Sequence, residues 1–320
     1  MALPPTRIPI TVVTGFLGAG KTSLVNLLVA QRKAGERIGI VVNEAGEIGL
    51  DGELLGDATD DVVEIADGCV CCTSQGELLG AITRLHRAAG ALDRIIVETS
   101  GLADPGPVVD TLASITHVLR LDTIVAVIDS LHALDQLDRV RSPEALAQAQ
   151  LATHVVVSKV DLADAAAVDA VCARVARLNP AAEILRGARE GFDARLVLDR
   201  FAVAADEDAG AAVHHHDHEH LDVDVFSVEL EGELDPGRWE IWLGTLLMLN
   251  APDVFRIKAI LAIAGEPQRQ IVHGVQTYVE SAAGRDWRPG ERRASRIVVI
   301  GRNLETDRWR DELERCVVSG

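Results

Sequence analysis

The sequence is poor in aromatic residues, cysteine and positive charge, and each shortage removes a class of protein. Five Phe, four Trp and one Tyr in 320 residues leave Val, Leu, Ile and Ala to fill the cores that a 48% hydrophobic content supports. A formal charge of −18 and an isoelectric point near 4.9 argue against nucleic acid and against anionic membranes as partners, since both are held by clustered Lys and Arg. Cations and basic surfaces are the complementary partners. No apolar run reaches the ~20 residues of a membrane helix, and the N-terminus passes from Pro-rich residues into a strand-like run without a leader peptide. A cytoplasmic protein is therefore expected. In that reducing setting, five cysteines point to metal binding or redox chemistry before a disulfide framework.

What is present begins with Gly15-Phe16-Leu17-Gly18-Ala19-Gly20-Lys21-Thr22, two glycines at Walker A spacing followed by Lys-Thr. Glycines allow the backbone N–H groups of such a loop to turn toward phosphate oxygens, Lys21 can reach the β and γ phosphates, and the Thr22 hydroxyl can ligate Mg²⁺. Ile10 to Val13 reads as a buried strand, and from Ser23 onward Leu24, Leu27 and Leu28 have helical spacing, so the phosphates meet a helix N-terminus. The nucleotide-binding residues are Gly15, Gly18, Ala19, Gly20, Lys21, Thr22 and Ser23.

Short Val/Ile-rich runs follow at 37–42, 94–97, 123–128 and 154–157, each bounded by helical stretches at 77–89, 107–115, 143–151 and 165–178. This alternation predicts an α/β domain, a doubly wound and mostly parallel sheet with ligands at the carboxyl ends of its strands. Composition shifts near Ala202. The predicted division is a P-loop domain over 1–202, a His-rich linker over 203–220 and a smaller α+β domain over 221–320. In the last of these, strands are predicted at 222–230, 254–263, 271–279 and 296–300, with helices at 236–249 and 305–316.

Two further motifs complete a nucleotide site. Glu98 ends a buried strand three residues before Gly101, which fits Walker B with Glu in place of Asp; its carboxylate can meet Mg²⁺ or orient the attacking water. Lys21, Glu98 and Gly101 are the catalytic candidates, with Thr22 and Glu98 for Mg²⁺. Ser158-Lys159-Val160-Asp161 follows the fourth strand-like run and matches the guanine-reading pattern Asn-Lys-x-Asp except for Ser158. Asp161 can accept the N1–H and N2–H of guanine, adenine lacks that donor pair, and the Lys159 stem can lie across the base, which favours GTP.

Three of the five cysteines, Cys69, Cys71 and Cys72, fall within four residues between these phosphate-binding segments. Thiolates suit Zn²⁺, Co²⁺ or Cu(I), and Cys-x-Cys-Cys can place two or three sulfurs on one ion. Together with the segments 14–22, 42–52, 67–72 and 98–105, and with Arg256-Ile257-Lys258, His273-Gly274-Val275-Gln276 and Ile300-Gly301, the chain resembles the CobW-like GTPases, a group that includes zinc chaperones. Ala45 stands where that group usually has Phe. The resemblance implies slow GTP hydrolysis, stimulated by metal or client, that is coupled to delivery of Zn²⁺, or Co²⁺ in some branches, to a client metalloprotein. Glu47, on a segment that should respond to the γ-phosphate, is the carboxylate chosen to complete the Cys69, Cys71 and Cys72 site. A homodimer formed in response to nucleotide or metal is carried as a second partner. Two other functions stay open: a metal-sensing GTP switch with little turnover, and a dedicated activator of one cobalt enzyme of the nitrile hydratase or cobalamin-pathway type.

His214, His215, His216, His218 and His220 are interleaved with Asp217 and Glu219. Two readings stand for this stretch, a weak auxiliary site for Zn²⁺, Co²⁺ or Ni²⁺ and a solvated linker. Cys172 and Cys316 read as packing residues, and His86, His117, His132 and His154 as structural ones.

Overall fold

The computed structural model describes residues 7–42, 62–66, 75–89, 91–137, 142–187, 191–199 and 222–318. The chain divides into two compact units, Met1–Arg200 and Phe201–Gly320.

In the first unit, β-branched runs form strands because a pleated surface accepts their stiff side chains on both faces. In chain order the elements are β1 (Ile8–Thr14), α1 (Lys21–Ala30), β2 (Ile38–Val42), β3 (Val62–Ala66), α2 (Gln75–Ala89), β4 (Arg94–Glu98), α3 (Gly106–Ala113), β5 (Leu119–Asp129), α4 (Ala133–Gln136), α5 (Pro143–Leu151), β6 (His154–Ser158), α6 (Ala165–Leu178) and β7 (Glu183–Arg186). The described strands make one sheet in the order β3-β2-β4-β1-β5-β6-β7, and each adjacent pair is parallel. Alternate residues of a strand serve opposite cores. Val125, Val127 and Val156 pack with Leu24 and Leu28 of α1, whereas Ala126, Ile128, Val155 and Val157 pack with Leu146, Val168 and Val171 on the other side. Burial on both faces explains why these strands read as unbroken apolar runs.

At the amino ends of the strands, Arg94 is the fastening. Its Nη1 donates to Asp122 Oδ2 at 2.6 Å, with side-chain exposures of 4% and 0%. Its Nη2 reaches Asp199, whose own N–H donates to the same Asp122 oxygen at 2.9 Å. One buried guanidinium thus ties β4, β5 and the segment that ends the unit.

The second unit is a five-stranded antiparallel sheet, β8 (Asp224–Glu231), β9 (Val254–Ala262), β10 (Gln268–Val275), β11 (Tyr278–Asp286) and β12 (Ala294–Gly301), in the order β11-β10-β9-β12-β8. Helices α7 (Pro236–Asn250) and α8 (Thr306–Glu314) supply Trp239, Trp242, Leu246, Trp309 and Leu313 to a core with Phe226, Ile257, Leu261 and Val299. Asp235 starts α7 by accepting the N–H of Arg238 at 2.9 Å, and Pro236 fits its first turn. All four Trp and the single Tyr lie in this unit.

The fold class follows the predicted alternation, and the differences have local causes. The run expected as one strand over 271–279 is a hairpin: β10 ends at Val275, Gln276 takes φ 48°, and Val275 pairs with Tyr278. The apolar residues Val275 and Val279 flanking a turn without Gly or Asn hid it. β3 and β7 were also missed; the four residues of β7 are edge-strand length with polar ends. Among the described residues no helix is long and apolar enough to cross a membrane.

Replacing Arg94 by Leu should take the closest ion-pair partner from the buried Asp122, leaving it Arg120 at 3.4 Å and the Asp199 N–H, a loss at the lower end of roughly 3–5 kcal/mol. Urea unfolding followed by far-ultraviolet circular dichroism should show the first unit melting earlier, while the Trp fluorescence transition of the second unit stays in place.

Candidate functional site

The phosphate loop is shaped by how closely it passes other backbone. Gly15, Gly18 and Gly20 have φ of 141°, 70° and 104°. A Cβ at Gly15 would lie 2.2 Å from the carbonyl oxygen of Val127 in β5, so only glycine lets the loop leave β1 here. Gly101 meets the loop from the other side, where an added Cβ would stand 2.7 Å from the N of Leu17. Ser158, at the end of β6, donates its hydroxyl to the carbonyl of Ala19 at 2.6 Å. Ser in place of Asn therefore still holds the loop from behind.

α1 begins immediately after the loop at Lys21, and no side chain among the described residues caps it. Its first N–H groups, together with the helix dipole, are left to face an anion. Lys21 is 7% exposed, and its Nζ lies 3.4 Å from the carbonyl of Phe16. Thr22 donates to Glu98 Oε1 at 2.8 Å, and Glu98, at the end of β4, is 4% exposed. Ser23 is exposed in the first helical turn, as Gly18 is on the loop. Below the carboxylate, Thr99 donates its N–H to Val13 and its hydroxyl to Thr14 at 2.9 Å. The hydroxyl of half-buried Thr22 and the carboxylate of buried Glu98 form a hard-oxygen donor set of the kind Mg²⁺ takes.

The turn over residues 158–161 has a partner in Asp129. Lys159 adopts φ 56°, and its Nζ is 2.8 Å from Oδ2 of Asp129, the last residue of β5. His132 Nδ1 lies 3.0 Å from the same oxygen, and the N–H of Leu131 donates to Oδ1 at 2.9 Å. Burial pushes the Asp129 carboxyl toward its neutral form, but the bonds from Lys159, His132 and Leu131 outweigh it and hold the pKa below the ordinary 3.8. Ser130 closes the joint, taking the carbonyl of Lys159 at 3.0 Å through its hydroxyl and that of Ser158 at 3.1 Å through its N–H. Asp161 is exposed just beyond, in the turn where Leu162 N–H donates to the Lys159 carbonyl at 3.0 Å. Asp129 had a signal, an acid ending a buried strand as Glu98 does.

Gln148 is also new. Buried in α5, it donates to the carbonyls of Gly101 at 3.3 Å and Ala103 at 2.9 Å, and so ties the loop after β4 to the opposite layer. Gln148, one of two Gln on an Ala-rich helix, gave no signal. Cys172 and Cys316 pack among apolar residues, where burial pushes the Cys316 thiol up. Glu47, Cys69, Cys71, Cys72, His214, His215, His216, His218 and His220 lie outside the described residues. Among the described residues, no group of three His, Cys, Asp or Glu side chains is arranged to hold a metal ion.

A parallel sheet carrying a glycine-rich phosphate loop between its central strand and the next helix is the architecture of P-loop nucleotide-binding proteins. Within that class, the chain belongs to the CobW/HypB/UreG family: residues 9–186 match its nucleotide-binding domain, and residues 223–317 match the cobalamin synthesis protein cobW C-terminal domain. It is 35% identical to a zinc chaperone CobW of Pseudomonas aeruginosa, over 93% of this chain and 88% of that protein. The zinc chaperone YjiA of Escherichia coli is 30% identical, over 95% and 96% of the two chains. The crystal structure of Zn(II)-bound YjiA GTPase from E. coli superposes with a TM-score of 0.67 at 25% identity, covering 98% of this chain and all of that one.

Asp129→Asn should cost about 1–3 kcal/mol in urea unfolding at pH 7, since hydrogen bonds to a charged group are lost. Because the folded pKa of Asp129 lies below its unfolded value, its contribution is complete above that value and lost as pH falls through the folded one. The gap between wild type and variant should therefore be full at neutral pH and narrow below about pH 4.

Proposed function

We propose that this chain is a GTP-binding, GTP-hydrolysing metallochaperone that carries Zn²⁺, with Co²⁺ as the other candidate cargo, to a client metalloprotein. The observation that carries the nucleotide half is the 2.8 Å bond from Thr22 to Glu98 beside the phosphate loop. It joins the residue after the loop Lys to the acid at the end of the neighbouring strand. The metal half is supported by relatives named as zinc chaperones, among them the CobW and YjiA proteins.

In this reading the N–H groups of residues 15–20 and the Lys21 ammonium bind the β and γ phosphates. Thr22 and Glu98 would hold Mg²⁺, which supplies neutralisation of phosphate charge when bound. Glu98 also orients water toward the γ-phosphate, with Gly101 giving the phosphate room against the loop. Lys159, braced by Asp129, lays its stem across guanine, and Asp161 accepts the N1–H and N2–H of the base. Because Gln148 grips the carbonyls of Gly101 and Ala103, a displacement caused by the γ-phosphate at Gly101 reaches α5 as well as residues 102–105.

Cys69, Cys71 and Cys72, completed by Glu47, are the proposed cargo ligands. Their place in sequence, between the phosphate loop and the Glu98 segment, makes cargo exchange answer to nucleotide state. The His214–His220 stretch is a weak collecting site in the same scheme, and the client takes up the metal when GTP is hydrolysed slowly.

Lys21→Ala should lower GTP hydrolysis, measured as phosphate release by the full chain, at least ~100-fold through lost charge stabilisation. Wild-type rates in that variant would reject the site. Cys71→Ser should lose tight Zn²⁺ and Co²⁺ binding in a chelator competition yet keep its GTP affinity. Unaltered metal affinity would exclude the cysteines as ligands.

A further inference from the structure

The sheet of the second unit buries unlike faces. Residues that point toward α7 and α8, such as Ile257, Ala259 and Leu261 of β9 and Val272 of β10, are apolar. With a side-chain period of two, Arg256 and Lys258 of β9 and His273 of β10 fall on the opposite face. They are neighbours there. Lys258 pairs in register with His273 on one side and Val298 on the other, while Arg256 pairs with Val275 and Ile300. These strands are interior to the sheet, and Val275, Tyr278, Val298 and Ile300 around Arg256, Lys258 and His273 are 0–3% exposed.

Other charges on this face have local partners. Tyr278 donates to Glu280, the residue opposite His273, at 3.2 Å, and Arg296 donates to Glu229 at 3.2 Å. Arg256 and Lys258 differ. Nε and Nη1 of Arg256 are buried without an acceptor, and among the described residues neither Arg256 nor Lys258 has a hydrogen-bond or ion-pair partner. Their ionisation reflects this. Burial lowers Arg256 to about 10, burial and then Arg256 lower Lys258 to about 8, and burial followed by both cations lowers His273 to about 3. In a chain of net charge −18, clustering cations where water is scarce opposes stability unless an anion joins them.

We infer that Arg256, Lys258 and His273 form an oxyanion-binding site on the second unit, separate from the phosphate loop. The missing counter-charge is a carboxylate or phosphate-like group, the acceptor geometry that a guanidinium and an ammonium share. Two sources offer that chemistry, a free oxyanion and an acidic side chain of a polypeptide. The inference does not rest on the metallochaperone reading.

The test is thermal unfolding of the full chain saturated with GDP and Mg²⁺, followed by Trp fluorescence, which reports the second unit alone. Inorganic phosphate and a tetraglutamate peptide are each compared with chloride at equal ionic strength. In wild type, at least one anion at several times its Kd should raise the Trp transition by about 4–8 °C. Phosphate alone acting would identify a free oxyanion; the peptide acting would identify an acidic polypeptide. The double variant R256M/K258M should lose the shift; should it not fold, R256Q and K258Q singly should each reduce it. A wild-type transition indifferent to both anions, or an undiminished shift in the variants, would overturn the site.

Discussion

The phosphate loop is held between two backbones with no room for a side chain on either, and the arrangement of the first unit depends on that wedge. Gly15 lies on the carbonyl of Val127, Gly101 lies on Leu17, and the Ser158 hydroxyl draws the Ala19 carbonyl inward at 2.6 Å. Contacts of this kind do not compress. A shift at Gly101 has to move either the loop or the residues behind it. The parallel sheet makes the wedge available by bringing the ends of β1, β4, β5 and β6 to one edge.

The two ends of that sheet are built differently. At the amino ends, Arg94, Asp122 and Asp199 close a charge network within the fold. At the carboxyl ends, Glu98 and Asp129 share the same strand-end position, but each meets a residue of a nucleotide motif: Thr22 in one case, Lys159 in the other. Ionic groups at the first end serve cohesion. Those at the second hold the side chains of the two motifs in place.

The second unit has no comparable division between ends; its contrast lies between faces. One face is an aromatic and aliphatic core around Trp239, Trp242 and Trp309, the ordinary solution for a sheet covered by helices. The other places Arg256 and Lys258 among buried aliphatic residues. Family membership accounts for the unit's presence, since its residues match the C-terminal domain found with this nucleotide-binding domain. Arg256 and Lys258 themselves belong to one of the segments by which the chain resembles that family.

Much of the fold could be read from neighbouring residues. Unbroken Val/Ile runs announced buried parallel strands, 3.6-residue spacing announced α5 and α6, and Gly-x-x-x-x-Gly-Lys-Thr announced the loop, because each of these patterns is set by conformations of consecutive residues. The hairpin at Gln276 escaped because its turn lacks the residues that usually mark one. Partnerships escaped for a different reason. Asp129 meets Lys159 30 residues on, Gln148 meets Gly101 47 residues back, and Ser158 meets Ala19 139 residues back. Local sequence determined which segments become strands, helices and a phosphate-binding turn. Only the order in which those strands pair decided which carboxylate braces which cation, because pairing across a sheet is a long-range choice made by the burial of both faces at once.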